Sequence, residues 1–188
     1  MGLCGSTSAS LPTDESIVYE VSKESREEVE IIPNMPMESM YKAAQHIFMT
    51  YIANEAPHLI DCSRREREAL RRDLTSDNNN NGGHNIHRTM FDSLQQKTFD
   101  IMLNDSFPKL LEADAYNRLR ETPGRPVYLP PKVEVYSMKP EGRIRLFTQV
   151  LNTAALLNDL SVFFKRIYCE ESLLFYLAVQ KFSQSFAN

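Results

Sequence analysis

The sequence predicts an all-α protein, a bundle of roughly seven to nine helices. Apolar residues recur at three- and four-residue spacing through successive segments, the period of a helix that buries one face. Residue types that break helices gather between those segments, Asn and Gly in residues 75–87 and Pro and Gly in residues 122–142. Helix-start signals of the Ser-x-x-Glu kind stand where periodic segments begin.

With 188 residues and 42% hydrophobic content, the chain is long enough for one cored domain plus a tail. The formal net charge of −4 argues against broad nucleic-acid binding, which needs an excess of Lys and Arg. Cys4, Cys62 and Cys169 are odd in number and scattered, a poor disulfide framework, so a reducing compartment is expected. No stretch approaches the roughly 20 apolar residues of a membrane span.

Residues 1–33 read as a tail dominated by Ser, Thr and Glu. It opens Met1-Gly2-Leu3-Cys4-Gly5-Ser6, the pattern for myristoylation at Gly2, with Cys4 available for a second acyl chain. One myristoyl group binds membranes only marginally, so stable residence needs a second signal. The acidic stretch that follows, with Glu20, Glu24, Glu27, Glu28 and Glu30, is repelled by an anionic leaflet. That leaves Cys4 as the second signal, and the cytoplasmic face of a membrane as the expected location.

A helix is expected from Pro36, with Met40, Ala44, Ile47, Phe48, Tyr51 and Ile52 on one face, ending near Ala56-Pro57. Ser63 and Glu66 form a capping box that opens a short basic helix to about Leu74. Its five arginines, interleaved with Glu66 and Glu68, read as a solvated face rather than an anion site. His84 and His87 lack Cys or carboxylate partners, so no metal site is expected. Thr89 with Asp92 is expected to cap a helix bearing Phe91, Leu94, Ile101 and Met102. Asp105-Ser106 is expected to start another, with Pro108 in its first turn and Leu110, Leu111, Tyr116 and Leu119 along it. Residues 122–142 are expected to be a helix-free linker, with helix resuming at Ile144. Asn158 or Asp159 is expected to cap a short helix with Val162, Phe163 and Phe164, and Cys169 or Glu170 to begin the final one.

Two blocks carry a family likeness. Phe163-Phe164-Lys165-Arg166-Ile167-Tyr168-Cys169-Glu170-Glu171-Ser172 sets an aromatic and two acids before a polar residue, and Leu173 to Ala178 continues as an apolar run. Phe91-Asp92 through Leu119 carries Phe99, Met102, Asp105-Ser106, Leu111 and Tyr116, and Ala56, Arg67 and Glu68 extend the match upstream. Together they resemble the regulator of G-protein signalling (RGS) domain, in circularly permuted order. Residues 38–121 look like the family's second half and residues 143–188 like its first, with residues 122–142 as the join. Residues 34–188 are thus expected to form a single permuted domain. Permutation is structurally tolerable because domain termini often lie close together.

The resemblance implies binding to the α subunit of a heterotrimeric G protein and acceleration of its GTP hydrolysis. RGS domains donate no catalytic side chain; they hold the α subunit's switch segments in transition-state shape. The resemblance therefore implies a regulator with no catalytic residue, metal or cofactor of its own. Carried over residue by residue, the contact surface is Asp61; then Ile101, Asp105, Ser106 and Lys109; then Tyr168, Glu171 and Ser172. Three of these depart from the family. Asp61 and Ser172 stand where Asn is usual, and Lys109 where Arg is usual. A carboxylate cannot donate as an amide does, and an ammonium lacks the guanidinium fork. These departures keep open an alternative, an RGS fold serving as a membrane scaffold without GTPase activation.

Overall fold

The computed structural model describes residues 36–75, 85–121 and 128–186. Gly2, Cys4, the acidic tail and His84 lie outside them. The described residues are helical or turn, with no strand. Helix α1 (Met37–Ile47) starts where the Pro36 carbonyl accepts from the amides of Ser39 and Met40. It runs on through a π-helical turn, Phe48–Ile52, which rotates Phe48, Tyr51 and Ile52 into the interior. Helix α2 (Arg64–Thr75) buries Leu70 and Leu74. Helix α3 (Asp92–Ile101) passes through a second π turn, Met102–Ser106, into α4 (Phe107–Glu112). Then follow α5 (Asp114–Glu121), α6 (Lys132–Ser137), α7 (Pro140–Leu151), α8 (Ala154–Arg166) and α9 (Glu170–Gln184).

The capping box expected at α2 is formed in both directions. The Ser63 amide donates to Glu66 Oε2 at 2.8 Å, and the Glu66 amide to Ser63 Oγ at 3.2 Å. Other boundaries differ from the sequence expectation. Residues 132–137 and 140–151 are helical, so the stretch from 128 to 142 is not helix-free. Each proline there sits where a helix tolerates it. Pro131 precedes α6 and offers its carbonyl to the Glu134 and Val135 amides, while Pro140 takes the first position of α7, where its missing N–H has no partner to lose. Gly142 lets α7 start close to Met138, since a Cβ there would stand a tight 3.3 Å from Met138 Cβ.

Three expected caps are also corrected. Thr89 does not cap α3; its Oγ1 lies 3.2 Å from His87 Nδ1. Asp105-Ser106 is not a break, since the backbone stays helical through the π turn and the helix pauses later, at Ala113. Asn158 and Asp159 lie inside α8, exposed on its solvent side where polar residues cost little.

Two apolar clusters make the core. One gathers Phe99, Met102, Phe107, Leu110, Leu111, Phe147, Phe163 and Phe164 with Leu173. The other gathers Ile52, Leu70, Phe91, Leu94, Phe175, Val179 and Phe182. α9 belongs to both, through Leu173 on one side and Phe175, Val179 and Phe182 on the other, and α3 likewise through Phe99 and Leu94. Rings of residues 143–188 thus pack on rings of residues 38–121 within one chain: Phe91 on Phe182 at 5.4 Å, Tyr51 on Phe175 at 5.7 Å, Phe107 on Phe147 at 4.9 Å. The Gln95 amide adds a hydrogen bond to the Tyr176 carbonyl at 3.0 Å, tying α3 to α9.

Candidate partner-binding surface

α3 and its π-turn extension form the rail on which the surface is laid out. Near one end, Asp61 lies in the turn before α2 and pairs with Lys97 Nζ of α3 at 3.1 Å. Lys97 and Ile101 are four residues apart, hence one above the other on a helix face. Ile101 is 37% exposed, unusual for isoleucine amid a buried bundle. A further turn along, Asp105 accepts from Lys109 Nζ at 2.7 Å, both side chains facing water. Lys97 and Asp105 are therefore separated by about 12 Å along the axis.

The second element is the turn between α8 and α9. Ser106 is 1% exposed and its Oγ lies 3.4 Å from Cys169 Sγ, which fastens that turn to the π turn. Ser106 thus supports the surface from beneath and does not itself face outward. Burial pushes the Cys169 thiol up, and the Glu171 carboxylate adds to this; the Ser106 hydrogen bond and the nearby Lys109 ammonium act the other way. Asp105, Lys109 and Glu171 all lie close enough to Cys169 to act on it, so two of the three expected segments meet here. Ser172 is half-buried in the first turn of α9, beside Glu171.

Tyr168 stands out. It has φ of +56°, the single positive φ among described residues other than glycine. The reason is visible in the hydrogen bonds. The Tyr168 amide donates to the Lys165 carbonyl at 3.3 Å and the Cys169 amide to the Phe164 carbonyl at 3.0 Å. That pair is a Schellman termination of α8, and Tyr168 occupies the left-handed position usually given to glycine. A side chain there costs about 1–2 kcal/mol, yet the ring is 92% exposed and contributes no packing in return.

Burial also pushes the Cys62 thiol up, so neither described cysteine has the depressed pKa of a nucleophile. Among the described residues no group of three His, Cys, Asp or Glu is placed to hold a metal, and no helix is long and apolar enough to cross a membrane. Lys97 was not foreseen from the sequence, although its four-residue spacing from Ile101 was there to find. The left-handed Tyr168 had no sequence signal, because glycine is the usual mark of that conformation.

No curated protein and no solved structure matches the chain. Residues 19–119, from the tail through α5, match the family described as the Regulator of G protein signaling domain. This match covers more than half of the chain and includes Asp61, Ile101, Asp105 and Lys109; with the all-helical bundle around it, it establishes that the chain belongs to the regulator of G protein signaling (RGS) domain family.

Proposed function

We propose that this RGS domain binds the α subunit of a heterotrimeric G protein and accelerates its GTP hydrolysis weakly, at a membrane to which acyl chains on Gly2 and Cys4 anchor it. The observations that support the reading are that Asp61 pairs with Lys97 of α3, that Ile101 four residues on is partly exposed, and that Cys169, next to the exposed Tyr168, meets Ser106 of the π turn. The α3 rail is rigid because α3 reaches both core clusters, and rigidity is what catalysis by positioning requires. The contacts are Asp61, Ile101, Asp105, Lys109, Tyr168, Glu171 and Ser172, with Ser106 holding the turn in place. None supplies a proton, metal or nucleophile to the reaction; the work is to favour the transition-state shape of the partner.

Circular permutation completes the proposal. α7, α8 and α9 lie beyond the residues that match the family, yet they fill the same two clusters as α1 to α5. In the permuted reading they are the family's first half, delivered second.

Weak activation follows from Asp61. A carboxylate facing the partner's nucleotide-binding region adds negative charge beside phosphates and cannot donate a hydrogen bond. Leaving a buried partner group unsatisfied costs about 1–3 kcal/mol, and each 1.4 kcal/mol is about tenfold in rate. The test is capture of a panel of α subunits loaded with GDP or with GDP and aluminium fluoride. Preference for the fluoride state supports the proposal. Equal binding to both states, or none, favours the scaffold reading, which the departures at Asp61, Ser172 and Lys109 recommend. The anchor is tested by cell fractionation: Gly2→Ala is expected to release the protein from membranes and Cys4→Ser to leave it weakly and reversibly bound.

A further inference from the structure

We propose that Lys97 is a specificity-determining residue of the contact surface, the counter-ion that makes a carboxylate at position 61 tolerable against the α subunit. The proposal deepens the α-subunit reading and rests on it.

The backbone holds Asp61 in place from both sides. Ile60 is buried, and its amide donates to the Tyr51 carbonyl at 2.9 Å. The Cys62 carbonyl accepts from Arg67 at 3.3 Å, and the same guanidinium donates to the Ile52 carbonyl at 2.6 Å and to Asn54 Oδ1 at 2.6 Å. The turn before α2 is thus tied to the first π turn on either side of Asp61, while the Asp61 side chain itself is 73% exposed. A partner that covers this turn covers a carboxylate whose backbone is fixed.

Lys97 comes to it from α3. Its Nζ stands 3.1 Å from Asp61 Oδ2, and the lysine side chain is only 37% exposed. The hydrogen bond to Asp61 pushes the Lys97 ammonium above its ordinary pKa, and the charges of Asp61 and Glu66 add to this against the effect of burial. The other charged groups nearby are engaged elsewhere. Glu66 accepts from the Ser63 amide at 2.8 Å, Asp100 accepts from Gln96 at 2.9 Å, and Arg67 reaches inward. Among the described residues Lys97 is the one cation that pairs with Asp61.

In water such a pair contributes little, because both ions are well hydrated. A partner seated over Asp61 removes that water, and a carboxylate stripped of hydration needs a cation beside it. The Lys97 ammonium supplies the charge and the donors that a carboxylate lacks. An Asn at position 61 has no charge to compensate. Lys97 therefore matters where Asp61 is present, and the two residues are coupled energetically only in the complex.

The test is a four-chain cycle: native, Lys97→Met, Asp61→Asn and the double variant, each measured for capture of α subunits loaded with GDP or with GDP and aluminium fluoride. Lys97→Met is expected to weaken capture of the fluoride state about tenfold. In the Asp61→Asn chain the same substitution is expected to lose less than about twofold, so that Asp61→Asn rescues Lys97→Met to at least the native level. Lys97→Arg, which keeps the charge, is expected to stay within about threefold of native. All these chains are expected to unfold at nearly the same urea concentration, since the pair is exposed in the free protein. Equal losses from Lys97→Met in both backgrounds overturn the proposal, because general attraction to the partner would give them. It is also overturned by native capture in Lys97→Met, or by a loss of capture that tracks a loss of stability. In each of those cases the preference for the fluoride state survives. A set of chains none of which prefers that state overturns the α-subunit reading, and the role of Lys97 with it.

Discussion

At the scale of single residues, Tyr168 holds a left-handed conformation at a cost in stability. Replacing it with glycine removes a left-handed side chain worth about 1–2 kcal/mol of strain, less the extra freedom glycine has when unfolded, about 0.5–1 kcal/mol. Tyr168→Gly is therefore expected to raise stability by about 0.5–1 kcal/mol in urea unfolding, while weakening capture by an α subunit. Asp61 is the opposite case. Its pair with Lys97 is exposed, and such pairs contribute about 0.2–1 kcal/mol. Asp61→Asn with Ser172→Asn is thus expected to change stability by less than about 1 kcal/mol while raising single-turnover GTP hydrolysis by about tenfold. No gain from the double variant would mean the surface no longer serves α subunits. Asp61 was legible in the sequence as a departure from a family pattern. Its ion pair was not, because Lys97 comes from another helix and only the fold brings them together.

Among the elements, α2 was read most completely, because its start is encoded locally in Ser63 and Glu66. Ser63→Ala is expected to cost about 1 kcal/mol. The Glu66 side of the box gives a pH signature. Hydrogen bonds from Ser63, hydroxyl first and then amide, hold the Glu66 carboxyl below its ordinary value of 4.5. A depressed acid stabilises the fold fully above its unfolded value and loses that contribution as pH falls through the folded one. The stability difference between the native chain and Glu66→Gln is therefore expected to be full at neutral pH and to shrink as the pH falls below 4.5. α3 and α4 were read less well. Asp105-Ser106 followed by Pro108 has the composition of a helix start, but Ser106 is drawn into the interior against Cys169, and a π turn carries the chain across without a break. Tertiary packing overrode the local signal. Residues 128–142 misled for a related reason: their prolines occupy helix starts, which composition alone cannot distinguish from helix interiors.

For the whole molecule, α9 is held by rings from elsewhere in the chain, Phe175 by Tyr51 of the first π turn and Phe182 by Phe91 just before α3. The existence of two clusters was not legible, since periodicity marks buried faces without saying which share a neighbour. Phe175 is fully buried, and Phe175→Ala is expected to cost about 3–5 kcal/mol. A fragment ending at Glu121 contains every residue that matches the family, yet lacks α9. It is expected to lack a cooperative thermal transition in circular dichroism and to aggregate; a soluble, cooperatively folded fragment would show that α1 to α5 form a core without it. The position of α9 also governs how the molecule comes into being. Its partner faces on α1 and α3 are synthesised first, and α9 follows α1 by more than a hundred residues. At about 5–20 residues per second, those faces wait on the order of ten seconds for the helix that covers them. During that interval the nascent chain has no α9 to cover Ile52, Phe91 and Leu94, so it is expected to expose aggregation-prone apolar surface, and chaperone depletion is expected to lower its soluble yield.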